Sequence, residues 1–384
     1  MPLYMDFHQI ENVTVEDVKR AHIADTAIQD KYGVRYLQFW VNQEAGTVFC
    51  LIEGPDPETC EKVHQMAHGN IACALTEVET GFYEMMMGTG HIINDYGLVQ
   101  KKNGYLDTGY RTILVVSLYG ITGAAASSDL SMLLTPNWAR KIVREQMERF
   151  WGRHLSWDAD DSLIAVFDDA ADGVCCALRI KKMLEQFEPK QPEIIFKMGM
   201  STSQPVTKEG DFFKNAIKLA HRLSLTVQDN QILTCALVRE ICKSEDIFSD
   251  DAIRSLSSKE QEFISNFIDV VELKIADQQF DLNKLSADIC VSRPQLYRKI
   301  ISLTGLSPHD FVRDMRMNKA KSMLKQQKLN IAEVAYETGF SSPAYFSRCF
   351  AEKFGVTPSV FLKRSLLLLM CFTEQLLGDV VSCI

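Results

Sequence analysis

His64 and His68 stand four residues apart in the stretch VHQMAHG, so on a helix both imidazoles project from one face, at the separation two ligands of a shared metal ion require. Cys50 falls on a neighbouring strand, and His8 and His22 on the first strand and first helix; the amino-terminal ninety residues hold five of the eight histidines if His91 is included. Imidazole with one thiolate suits nickel, copper or zinc, and geometry decides among them. The i, i+4 pair taken alone is equally consistent with half-buried polar residues that hold no ion, and Tyr36 and Trp40 beside it read as core. A second chemistry is written near the other end. Arg293, Gln295, Tyr297, Arg298 and Lys299, and fifty positions later Ala344, Tyr345, Ser347 and Arg348, lie on the polar sides of two short helices, where an Arg can read guanine through two parallel hydrogen bonds.

The elements that carry this second set occur twice. Ser292, Leu296, Arg298, Ile300, Gly305, Leu306, Ser307, Pro308 and Phe311 recur as Ser342, Phe346, Arg348, Phe350, Gly355, Val356, Thr357, Pro358 and Phe361, an internal duplication. Each copy reads as a short helix (Leu282, Leu285, Ile289; then Ile331, Val334, Ala335), a turn, and a second helix opened by Ser with Pro and closed by Gly. This is helix-turn-helix. Leu296, Ile300 and Ile301 are expected to face the core in the first copy, and Phe346, Phe350 and Phe354 in the second. Pro308 to Gln327 predicts a connecting rod of roughly 30 Å, close to the roughly 34 Å of one turn of B-form DNA. From Arg293 to Arg364 thirteen Lys/Arg stand against five Asp/Glu, a surplus of eight in a chain whose net charge is −9. A basic module on an acidic protein is the electrostatic footprint of nucleic-acid binding.

Residues 261–364, through LSADICVSRPQLYRKIISLTGLSPHDFVRDMRM and IAEVAYETGFSSPAYFSRCFAEKFGVTPSVFLK, resemble the AraC/XylS DNA-binding domain. The resemblance implies double-stranded DNA as partner. It also implies base contacts from Arg293, Gln295, Tyr297, Arg298, Ser342, Tyr345 and Arg348, with phosphates held by surrounding basic residues such as Lys299 and by helix N-termini.

The amino-terminal unit reads as strand (Tyr4–Ile10), helix (Thr14–Tyr32), strands (Arg35–Val41 and Thr47–Glu53), helix (Asp56–Gly69) and strand (Thr76–Glu84), the βαββαβ order of a ferredoxin-like domain. Through AHIADTAIQDKYGVRYLQFW, GTVFCLIEGPDP and VHQMAHG it resembles a family of small ferredoxin-like proteins for which nickel binding has been described. That resemblance places His22, His64 and His68 first as ligands of nickel or another divalent transition metal, with His8 and Cys50 next.

The middle of the chain, with YRTILVVSLYGITG, LIAVF, AADGVCCALRIKKMLEQF, EIIFKMGMSTSQPV and GDFFKNAIKLAHRLSLTV, resembles the class III nucleotide cyclase domain over about 135 residues. Such cyclases hold two Mg²⁺ ions on two Asp residues. Here Ser117 occupies the first Asp position, and the second falls at Asp161, with Asp160 as a one-residue alternative. Lys218 occupies the Asn position and Arg222 the Arg position. A hydroxyl does not replace a carboxylate on a hard cation, so no catalytic residue is assigned. Asp161 and Arg222 are vestigial candidates, open to nucleotide binding or to a role as surface charges on a dimerisation module.

The eleven Cys lack a C-x-x-C and mean hydropathy is −0.07, the pattern of reduced thiols in an ordinary cytoplasmic protein. No secretory leader is read at the start. The apolar stretch Ser365–Ile384 carries Glu374 and Asp379 and is too interrupted to span a bilayer, where about 20 apolar residues are needed; it is expected to be a cap helix or a reading-frame accident. The sequence therefore predicts a multi-domain α+β protein: a ferredoxin-like domain (1–88), a linker (89–107), a cyclase-like α/β domain (108–246), a linker (247–260), an all-α tandem helix-turn-helix (261–364) and a tail (365–384). It is expected to act as a transcription regulator that works as a homodimer on DNA, without a membrane, under a metal, small-molecule or nucleotide effector. The alternative is an active cyclase fused to a DNA-binding domain.

Overall fold

LYMDFHQ, RYLQFWVN and TVFCLIE build the first sheet as runs of mostly buried residues, because both faces of its central strands are covered. The structure, a computed structural model, describes residues 1–121, 137–155, 162–186, 193–243 and 245–363. It begins with β1 (Leu3–Gln9), α1 (Val15–Ile28), β2 (Arg35–Asn42), β3 (Thr47–Glu53), α2 (Pro57–Ala67) and β4 (Ala74–Val78), in an antiparallel sheet of order β2-β3-β1-β4. Both helices are fixed at their starts by side chains. Thr14 and Asp17 form a reciprocal capping box on α1, and Asp56 accepts from the Thr59 amide ahead of Pro57 on α2.

The fourth strand is shorter than expected. It stops at Val78, and α3 (Thr80–Met87) follows, because Tyr83, Met86 and Met87 bury themselves at helical spacing, which unbranched Met side chains favour over a strand. Residues 89–107, expected as a linker, are a packed hairpin of β5 (Ile92–Ile93) and β6 (Val99–Gln100). Leu98 and Val99 are buried, and the Phe39 amide of β2 donates to the Gly97 carbonyl at 2.8 Å, so the segment extends the edge of the first sheet.

The central domain contains β7 (Arg111–Ile121), α4 (Asn137–Arg149), β8 (Arg153–Leu155), β9 (Leu163–Phe167), α5 (Ala170–Gln186), β10 (Glu193–Ser203), α6 (Lys214–Thr226), β11 (Gln231–Thr234), α7 (Ala236–Cys242) and β12 (Ile253–Ser255). Its six strands run β12-β11-β10-β7-β9-β8, parallel only at β10-β11 and β11-β12. The second expected linker, 247–260, is therefore corrected as well: Ile253 and Leu256 are buried and β12 is an edge strand of this sheet. At Gly199 on β10 a β-carbon would lie 2.1 Å from the Ala220 carbonyl oxygen, so glycine is what lets α6 lie directly on the sheet.

The carboxyl-terminal module is helical: α8 (Ser258–Leu273), α9 (Leu282–Asp288), α10 (Arg293–Thr304), α11 (Pro308–Gln326), α12 (Ile331–Glu337) and α13 (Pro343–Phe354). The first part of α11, with Phe311, Val312 and Met315, shares a core with Phe267, Leu296 and Ile300. The later part, with Met317, Ala320 and Leu324, shares a separate core with Phe346 and Phe350. Truncating either Phe of that second core to Ala costs about 3–5 kcal/mol by the usual cavity cost. Ile301, expected inside, is 48% exposed; Leu296, Ile300 and Leu303 already fill the buried stripe, and the residue next to Ile300 is turned away from it. The core of the central domain is continuous with that of α8 to α11, and Met5, Phe7, Trp40 and Phe49 of the first sheet pack with Ile113 and Val115 of β7. Arg364 and the tail lie outside the described residues.

Candidate nucleic-acid interface and metal centre

The duplicated second helices are built alike. Ser292 caps α10, accepting from the Gln295 amide, and Ser342 caps α13, accepting from the Tyr345 amide. Gly305 and Gly355 close them with φ of 72° and 73°. These caps leave Arg293, Arg298, Tyr345 and Arg348 exposed on the outer faces, with Tyr297 half-buried. Arg293 and Arg348 lie over the rings of Tyr297 and Tyr345, 5.9 and 5.2 Å from the centroids, which holds each guanidinium along its helix. Three of the expected contact residues have structural duties. Gln295 Oε1 accepts from the Ser292 amide and hydroxyl, completing the capping box, and Ser342 is itself a cap. Lys299 Nζ lies 4.4 Å over the Phe263 ring of α8. Arg316 of α11, not singled out from sequence, donates to the Gly339 and Asp277 carbonyls and so ties the turn of the second copy to the loop between α8 and α9.

In the first domain His64 is the hub. Its Nε2 donates to Asp6 Oδ2 at 2.7 Å, and its Nδ1 lies 3.2 Å from Asp25 Oδ1 and 3.1 Å from His68 Nε2. His8 Nε2 meets Asp6 Oδ2 at 3.1 Å, and His68 Nε2 meets Asp25 Oδ1 at 3.2 Å. Asp6, His8, Cys50 and His64 form one group whose ligand atoms all lie within 4.8 Å of one another, and Asp25, His64 and His68 form a second. Burial alone pulls the His64 pKa down, but hydrogen bonds from Asp25 and Asp6 outweigh it and raise the value to about 10. Burial pushes the Asp6 carboxyl up, yet the His8 and His64 rings hold it well below the carboxylate range. Asp25 is lowered against its own burial by His64 and His68, and burial next to Asp6 raises the Cys50 thiol.

A proton on His64 thus stands where positive charge is wanted between two buried carboxylates, and a divalent cation placed there meets the same need with imidazole and carboxylate donors. The donor set fits nickel, with Cys50 as a thiol that metal binding would deprotonate. Asp6 and Asp25 were missed from the sequence. The available signal was an acid two residues from His8 on the same strand face, and one three residues from His22 on α1. His22, placed first among the ligands, belongs to neither group. Its ring packs on Phe39 at 4.9 Å and Tyr36 at 6.2 Å, burial lowers its pKa although Asp25 opposes this, and its Nδ1 has no hydrogen-bond partner.

Among the described residues, those placed at the cyclase positions are engaged with neighbouring side chains. Ser117 Oγ bonds to Ser162 Oγ at 2.9 Å, in a pocket of about 30 Å³ lined also by His221, Asn318 and Lys321, the last two from α11. Arg222, 7% exposed, donates to Asp269 at 2.5 Å and Glu272 at 2.6 Å on α8, and the exposed Lys218 lies 3.6 and 3.5 Å from the same carboxylates. Asp160 and Asp161 lie outside the described residues.

Comparison with known proteins agrees with the two outer domains. A family model described as "Helix-turn-helix domain" matches residues 285–364, and one described as "Nickel responsive protein SCO4226-like" matches residues 4–78. The chain is 36% identical over 110 residues to Histidine kinase P4 of Formosa agariphila, covering 29% of this chain and 8% of the kinase. It is 34% identical over 87 residues to the HTH-type transcriptional regulator MtrA of Neisseria gonorrhoeae, covering 23% of this chain and 29% of MtrA. The chain thus spans less than a third of either relative. A solved structure of an adenylate/guanylate cyclase/hydrolase from Silicibacter pomeroyi is 23% identical, with a TM-score of 0.28, covering 35% of this chain and 79% of that one. The carboxyl-terminal module is thus a tandem helix-turn-helix similar to those of HTH-type transcriptional regulators, and the amino-terminal domain is similar to the SCO4226-like family. Among the described residues, no helix is long and apolar enough to cross a membrane, and no disulfide joins the cysteines.

Proposed function

We propose that this protein is a cytoplasmic, sequence-specific transcription regulator of the AraC type, in which a metal-holding amino-terminal domain and the central domain govern how two reading helices meet double-stranded DNA. The observation that carries the reading is the repeated construction of α10 and α13: the same Ser cap, the same left-handed Gly closure and an exposed Arg at the same position, one helix packed on each part of α11. Arg293, Arg298, Tyr345 and Arg348 supply base contacts in this reading.

Nickel or a similar divalent ion is the proposed effector, held by Asp6, His8, Cys50 and His64, with Asp25 and His68 as the alternative set around His64. The ion supplies fixed positive charge among these donors. An effector of this kind acts by preferring one arrangement of the chain over another. A nucleotide effector finds no support at Arg222, whose charge is already met by two carboxylates. Turnover of ATP or GTP with Mg²⁺ is not expected, since Ser117 offers no anionic oxygen. Two chains are proposed to pair through a surface other than the α6 face that α8 and α11 cover.

Equilibrium binding to a selected duplex, with and without nickel, tests the coupling. Affinity should change with nickel in the native chain and not in the His64→Ala/His68→Ala chain. Unchanged affinity in a chain shown to carry the metal removes the sensing role and leaves the DNA-binding one.

A further inference from the structure

Beside the histidine cluster lies a cavity of about 150 Å³, walled by Val13, Val18, Ala21 and Val48 and reaching His22 and the cluster at His64. A single metal ion uses little of this half-open, partly acidic cleft, whose volume is about that of a small aromatic ring. His22 contributes a second observation: its side chain is more than nine-tenths buried, it lines the cavity, and its Nδ1 is unsatisfied. A buried polar atom without a partner costs about 1–3 kcal/mol, so a polar atom entering the cavity would recover that cost. Asp6 and Asp25 bound the cluster end, and Glu11 and Asp17 also line the cavity, which disfavours an anionic guest.

We propose that this cavity takes a small, flat, uncharged nitrogen-donor ring, of which imidazole is the type, as an additional ligand to the metal: one nitrogen toward the ion, the ring edge against the valines, and the second nitrogen on His22. The inference rests on the metal reading above and adds a second ligand class to it.

The experiment uses the full chain loaded with nickel, its metal content confirmed by elemental analysis, and titrates imidazole and separately free histidine while following the visible ligand-field absorption. Saturable change with imidazole is expected while the nickel content stays constant; free histidine, which chelates nickel through amine and ring together, serves as the control that removes the metal. Ala21→Leu, which fills the cavity and removes no donor, should keep the nickel content and weaken imidazole by at least about tenfold, or 1.4 kcal/mol. His22→Ala should weaken it about fivefold through one lost hydrogen bond. Full nickel content with no saturable change, or equal binding by Ala21→Leu, overturns the ligand site and leaves the metal reading intact. A chain that carries no nickel defeats the metal reading itself, and the ligand site with it.

Discussion

The Arg222 guanidinium reaches from α6 of the central domain to Asp269 of α8, 2.5 Å away, and so pins the helical carboxyl-terminal module to the central domain. Loss of that pin is the first prediction. Arg222→Ala leaves Asp269 and Glu272 with the exposed Lys218 among the described residues, and it removes a charge-assisted pair whose acidic partners are about half exposed. Discounted for solvent screening, the cost is about 1–2 kcal/mol. Chemical denaturation should show it, together with faster proteolysis between the central domain and α8. An unchanged midpoint and cleavage rate would mean that the pair does not join the two units.

The histidine cluster predicts a pH window. His64 is raised in the folded chain to about 10 from 6.5, so its contribution is complete below 6.5 and is lost as pH climbs toward 10. Asp6 and Asp25 are lowered from 3.8, so theirs is complete above 3.8 and lost in acid. His22 acts in the opposite sense: burial lowers its pKa from 6.5, so it subtracts stability as pH falls below that value, and the amino-terminal domain should be most resistant near pH 6.5. Hydrogen exchange of α2 amides reads this directly, and a maximum above pH 8 would contradict it.

Metal uptake at the same site displaces the His64 proton. Nickel binding to the full chain near pH 7.5 should release at least about one proton, and apparent affinity should rise with pH. Calorimetry in buffers of different ionisation enthalpy measures the release. Zero release would place the metal elsewhere.

Gly339 predicts a local failure. Its φ is +80°, and a β-carbon there would stand 2.4 Å from the Ile275 carbonyl oxygen and 2.7 Å from the Arg316 guanidinium. The matching turn of the first copy uses Cys290 at φ 54°. Gly339→Ala should cost about 2 kcal/mol or more, from strain at a left-handed position plus the close contact. It should weaken DNA binding by unsettling α12 and α13. Native stability in this variant would show that the turn has slack.

The sequence showed most clearly what is periodic or repeated. The two helix-turn-helix copies, their Ser caps and Gly closures, and the element order of the first domain were legible because capping chemistry and short apolar runs bounded by turn residues act over a few residues. The metal centre was only partly legible. His64 and His68 sit on one helix, but Asp6 comes from β1 and Asp25 from α1, and their meeting depends on how α1 and α2 lie across the sheet. His22 shows the same limit from the other side: its place on α1 suggests a ligand, and only the packing of Phe39 and Tyr36 shows where the ring goes. Segments 89–107 and 247–260 looked like linkers because they are short and polar. Their few apolar residues, Leu98, Val99, Ile253 and Leu256, are buried by neighbours distant in sequence.

DNA selection tests the central claim most directly. The full chain, used to enrich duplexes from a random pool, should yield a motif of two subsites about 10 base pairs apart, one for each of α10 and α13. Arg298→Ala should relax one subsite and Arg348→Ala the other, each by about 1–3 kcal/mol of base discrimination. A pool without enrichment, or a motif that survives both substitutions unchanged, would contradict the account.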